Sequence, residues 1–128
     1  MSATTPERGG CAATLGVAKT ATATVLRVGG ELDILTVPDL QTRLTDVVAA
    51  TTGAVVADLT EVQFLSSSGL RLLVGLRSEL AEQGRSLRLV VGESRAVTRP
   101  LLITGLDRLL DLHPDLDTAL ATVPEAGQ

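Results

Sequence analysis

Three consecutive hydroxyls followed by a glycine, Ser66-Ser67-Ser68-Gly69, are the only run of three adjacent nucleophilic side chains in the chain. At the start of a helix a serine oxygen accepts a hydrogen bond from a free N–H one turn on. Activated by a base it attacks a carbonyl, and presented to a kinase it takes a phosphoryl group. Hydrolysis is poorly supplied here. The nucleophile elbow G-x-S-x-G is absent because Leu65 stands where its first glycine belongs. The one histidine, His113, lies in a short segment before Pro114 and reads as a solvated loop residue. No group suits a general base toward ATP, so no enzyme is expected. One cysteine, Cys11, forms no internal disulfide, and with a single histidine the soft ligands of a structural zinc site are missing. Neither a metal nor a cofactor is expected.

Composition narrows the partners. A length of 128 residues suits one domain with a hydrophobic core, and 45% apolar against 20% charged residues is a globular balance. Phe64 is the only aromatic, so Leu, Val, Ile and Ala must build that core, and a base-stacking platform is excluded. A net charge of -4 removes the general phosphate attraction on which nucleic-acid binding depends. No apolar run approaches the ~20 residues of a membrane span, and the opening MSATTPERGG lacks the layout of a secretory signal. The expected location is the cytoplasm.

The elements that must position the serines follow from periodicity. Residues 1–11 read as a loose tail, 12–122 as the domain and 123–128 as a second tail. Leu15 to Lys19 and Thr22 to Val28 read as paired strands, the second ended by Gly29-Gly30. Val37, Leu40, Leu44, Val47 and Val48 recur at helical spacing behind Pro38, with Thr36 as the expected N-cap. Ala54 to Asp58 is apolar without alternation, as in a central strand buried on both faces. Gly69, Leu72, Leu73, Leu76 and Leu80 mark a second helix ended by Gly84, and Leu87 to Val91 another strand. Ser94 to Ile103 reads as a helix ended by Gly105; either it starts late, with Pro100 in its first turn, or Pro100 bends it. Leu109 to Leu112 is a candidate edge strand, and Asp115 a cap for a last helix running to about Thr122. Strands alternating with helices imply an α/β fold, a mixed and mostly parallel sheet of about five strands flanked by about four helices.

Taken in order, Gly30-Glu31-Leu32-Asp33, then Asp58-Leu59-Thr60 with Val62 and Phe64, then Ser67-Ser68-Gly69-Leu70, then Thr104-Gly105-Leu106 resemble the STAS domain. More narrowly they are similar to the stand-alone anti-sigma-factor antagonists of bacterial partner switching, over about Leu15 to Ala121. That resemblance implies a partner that is both serine kinase and anti-sigma factor, and a phosphatase that restores the serine. It implies that Ser67 is the phosphorylated residue, with Ser66 and Ser68 as alternative acceptors. It places Asp33 on the aspartate of the family's G-E-L-D motif, near that serine. The family's aspartate before the phosphorylated serine is Ser66 here, which removes a charge and an acceptor from beside the site.

Partner contacts are expected from Asp33, Leu65, Ser66, Ser68, Gly69 and Arg71. Phe64 is expected under the loop as core and Leu65 outside it. Asp33 has a turn role toward Gly30-Glu31 as its alternative, Asp58 is expected as a turn or cap acceptor, and a solvated face explains Arg71 and Arg77 equally well. Two other classes stay open: a STAS-like scaffold or accessory subunit of a signalling or lipid-transport assembly, whose serines only cap the helix, and a hydrolase using Ser67.

Overall fold

The computed structural model describes residues 13–121; both expected tails, Cys11 and Thr122 lie outside them. Ten elements run in order: β1 (Thr14–Lys19), β2 (Ala23–Leu32), α1 (Val37–Ala50), β3 (Ala54–Leu65), α2 (Ser67–Glu82), β4 (Leu87–Val90), α3 (Arg95–Thr104), a 3-10 turn (Leu106–Arg108), β5 (Asp111–His113) and α4 (Leu116–Ala121). The strands form one sheet in the order β1-β2-β3-β4-β5, with β1 antiparallel to β2 and every other pair parallel. The expected mixed α/β sheet with five strands and four helices is therefore the observed one.

Alternation along the strands sorts two cores. Leu26, Val55, Ala57 and Leu89 point to the face packed by α1 and α2 through Leu40, Leu44, Val48, Leu73, Leu76 and Leu80. Val25, Val56 and Val90 point to the other face, against Ala119, Leu116 and Leu120 of α4. Asp115 caps α4 by accepting the Thr118 N–H at 2.7 Å, and that bond holds its carboxyl below the usual carboxylate range. The buried apolar side chains among the described residues are Leu, Val and Ala; both isoleucines of the chain, Ile34 and Ile103, lie on the surface, contrary to the expected core composition.

Two strands run further than their sequence suggested, and both extensions lead to the serines. Gly29-Gly30 does not end β2. The register against β3 shifts on either side of these glycines, and a side chain at Gly29 would stand 2.9 Å from the Thr14 hydroxyl and 3.3 Å from Glu61 Cβ. They mark a bulge where backbones close in, and the strand resumes through Glu31-Leu32. Likewise β3 does not stop at Asp58, whose Oδ1 accepts the Thr60 N–H (3.0 Å) and hydroxyl (2.7 Å) within the strand. Beyond Asp58, β3 has β2 on one side only, and its buried residues Leu59, Val62 and Leu65 fall three apart, which hid the strand from a search for alternation.

Three smaller corrections concern the edges. Pro100 lies in the interior of α3, which excludes the late start and leaves the Ala96 carbonyl without its helical donor. The edge strand begins two residues later than expected, at Asp111. That shift carries His113 inward: it is buried, with Nε2 3.1 Å from Asp111 Oδ1, and is not a solvated loop residue.

Candidate functional site

The two extended strands end side by side, with Glu31 opposite Phe64 and Leu32 opposite Leu65. Ser66 then turns the chain into α2. Its N–H and its hydroxyl both donate to the Leu32 carbonyl at 2.9 Å, and its Oγ accepts the Gly69 N–H at 3.4 Å. Ser66 is thus the N-cap, and it also ties the start of α2 to the end of β2. A carboxylate at this position could accept from Gly69 but could not donate to Leu32.

Ser67, the first residue of α2, is exposed, and its hydroxyl has no hydrogen-bond partner among the described residues. Ser68 is half-buried and shares with Arg71 a groove of about 390 Å3 between α1 and α2. Gly69 is buried, where a Cβ would stand 2.6 Å from Leu65 Cδ1 and 3.0 Å from Leu32 Cβ. The missing side chain lets α2 approach the sheet closely.

Phe64 and Leu65 exchange the places expected of them: Leu65 is 5% exposed and Phe64 is 49% exposed. Leu65 is therefore core, and the aromatic ring is on the surface. The reason is the length of β3, whose last part buries Val62 and Leu65 and leaves Gln63 and Phe64 exposed between them. Asp33 does not bond Ser67. Its Oδ1 accepts from the Leu35 N–H (2.9 Å), the Thr36 N–H (3.1 Å) and the Thr36 hydroxyl (3.3 Å), and its carbonyl accepts the Val37 N–H at 2.9 Å. So Asp33 shapes the entry to α1, while Thr36 makes no side-chain cap bond and donates instead to Glu31 O at 2.7 Å.

That entry turn holds what the sequence reading missed. Ile34 and Leu35 are 74% and 85% exposed, side by side between β2 and α1. The available signal was two adjacent apolar residues behind a strand and ahead of the helix that Val37-Pro38 opens. Phe64 shares a groove with Ser67 and Ile34 shares one with Ser68, so exposed apolar side chains flank the serine cluster on two sides, a surface whose chemistry is protein recognition. Arg71 is exposed on α2, and Arg77 is half-buried further along it. Among the described residues no cluster of His, Cys, Asp and Glu is arranged to hold a metal, and no helix is long and apolar enough to cross a membrane.

Residues 15–119 match the family model of the STAS domain. The chain belongs to the STAS domain family. Curated relatives include an anti-sigma-F factor antagonist, RsfB, of Mycobacterium tuberculosis, 36% identical over 100 residues that cover 77% of this chain and 80% of the relative. An anti-sigma-B factor antagonist of Staphylococcus aureus is 35% identical over 88 residues, covering 69% of this chain and 81% of its own. Among solved structures, an anti-sigma factor antagonist from Mycobacterium paratuberculosis superposes with a TM-score of 0.80 at 36% identity, over 87% of this chain and 93% of that one. SpoIIAA in its unphosphorylated form shares the fold, with a TM-score of 0.68 at 20% identity over 84% and 93% of the two chains. In this STAS domain the serine cluster sits at the C-terminal ends of β2 and β3.

Proposed function

We propose that this STAS domain is a cytoplasmic anti-sigma-factor antagonist: unphosphorylated, it binds an anti-sigma factor that is also a serine kinase and frees the sigma factor. Phosphorylation of Ser67 switches it off, and a phosphatase restores it. The observation that carries this reading is the division of labour in the serine cluster. Ser66 is spent on the cap and on Leu32, whereas the Ser67 hydroxyl is exposed, unbonded among the described residues and in one groove with exposed Phe64. The names of the relatives support the same reading. The protein is a regulator and kinase substrate, not an enzyme.

The transfer balances simply. Ser67 Oγ attacks the γ-phosphorus of ATP held by the partner; the Oγ–P bond forms as the bond to the β-bridging oxygen breaks. ADP leaves, and the hydroxyl proton passes to a base of the kinase or to water. The phosphate then carries about -1.5 to -2 charges at a helix N-terminus, favourable by roughly 0.3–1 kcal/mol, so the fold is kept. At the binding face the same charge must be desolvated against apolar neighbours. A penalty of ~3–4 kcal/mol weakens binding by two to three orders of magnitude.

Calorimetry of a purified anti-sigma kinase with wild type and with Ser67→Glu tests the switch. The acidic variant is expected to bind at least tenfold more weakly while melting at the same temperature. Equal affinity rejects it. An accessory-subunit role, favoured by the capping bonds of Ser66, predicts in addition that no phosphate is taken up.

A further inference from the structure

On the flank of Ser67 turned toward α3, a shallow groove of about 470 Å3 runs between the start of α2 and α3. Phe64, Pro100 and Ile103 are among the apolar residues that line it, no acidic residue contributes, and Arg95, Arg99 and Ser67 are among its polar ones. The two arginines are poorly placed for the sake of α3 itself. They stand one turn apart, where like charges repel. Arg95 also opens the helix, whose first turn holds no acidic residue and whose positive end disfavours a cation. Neither arginine has an ion-pair or hydrogen-bond partner among the described residues.

We propose that Arg95 and Arg99 receive a phosphate on Ser67: they reach across the groove, pair with its oxygens and cover the apolar floor of Phe64 and Ile103. The inference rests on Ser67 being the modified residue. Guanidinium groups pair with phosphate through two parallel N–H bonds, and their methylene stems lie well on apolar surface. Phosphorylation then does more than add charge, because it withdraws the α2–α3 groove from the partner. A returning partner must break both pairs before it reaches Phe64. The competing cation is Arg71, one turn along α2 from Ser67, which lines the opposite groove with Ser68. The nearby acids are Asp33, whose carboxylate is committed to its own turn, Glu31, opposite Phe64, and Glu93, exposed two residues before Arg95.

The test uses the full chain with phosphoserine installed at position 67 during translation, followed by phosphorus NMR titration at low salt. Pairing lowers the second ionisation of the phosphate from its ordinary value of about 6 by about one pH unit, a tenfold change. The expected result is that R95Q/R99Q returns it toward 6, while R71Q leaves it low. A double variant that titrates with the unsubstituted protein, or a return produced as fully by R71Q, overturns the proposal. Both substitutions lie on exposed side chains, and matching amide spectra verify the fold. Since translation supplies the phosphate, this result is separate from whether a kinase acts on Ser67; kinase-dependent phosphate uptake that persists in Ser67→Ala would instead reject that reading.

Discussion

The two ends of the parallel strands are finished in opposite ways. At the N-terminal end, Arg85 donates to Gly53 O (2.7 Å), Val48 O (2.9 Å), Thr51 Oγ1 (3.0 Å) and Gln83 Oε1 (3.1 Å). One side chain thereby ties the end of α1, the start of β3 and the end of α2. Burial lowers the Arg85 guanidinium from its usual value, and four acceptors offset that desolvation while it stays cationic. At the C-terminal end, the Ser67 and Ser68 hydroxyls have no hydrogen-bond partner among the described residues, and Ile34, Leu35, Phe64 and Ile103 face water. One end closes the fold, and the other is left open for a partner. Stability and recognition should therefore separate under mutation.

The largest break comes from neighbours with opposite burial. Leu65→Ala is expected to cost ~2–5 kcal/mol in denaturant unfolding, as for a buried leucine. Arg85→Ala should follow, at about 1.5–3 kcal/mol, because it removes hydrogen bonds made by a charged donor that joins three elements; partner affinity should be unchanged once the protein is folded. Ser66→Ala should cost ~1 kcal/mol through loss of the cap and of the Leu32 bond. Smallest for stability is Phe64→Ala, within ~0.5 kcal/mol, as for other exposed sites. That variant should nonetheless weaken partner binding at least tenfold by calorimetry. A Phe64→Ala protein that is unstable but binds normally would invert the comparison between the two ends.

Much of the scaffold was legible because period decided it. Leu40, Leu44 and Val48, or Leu72, Leu73, Leu76 and Leu80, leave no alternative to amphipathic helices, and the ordered motifs around Asp33 and Ser67 pointed to the family. The site was less legible, for reasons of backbone geometry. Glycines that read as a terminator were a bulge, so β2 delivers Leu32 to Ser66. Burial three residues apart concealed the second half of β3 and so misassigned Phe64 and Leu65. Asp33 looked like chemistry and turned out to serve its own turn, since a short carboxylate meets the nearest free N–H groups first. Ile34 and Leu35 were overlooked because exposure of an apolar pair is visible only once the helix that excludes them has been placed.

The central claim is that Ser67, and not the capping Ser66, is the switch. The direct measurement is the intact mass of the protein after incubation with ATP and a serine kinase of the anti-sigma type, for wild type, Ser66→Ala and Ser67→Ala. One phosphoryl group gained by wild type and by Ser66→Ala, and none by Ser67→Ala, is the predicted result. A gain undiminished in Ser67→Ala would contradict it.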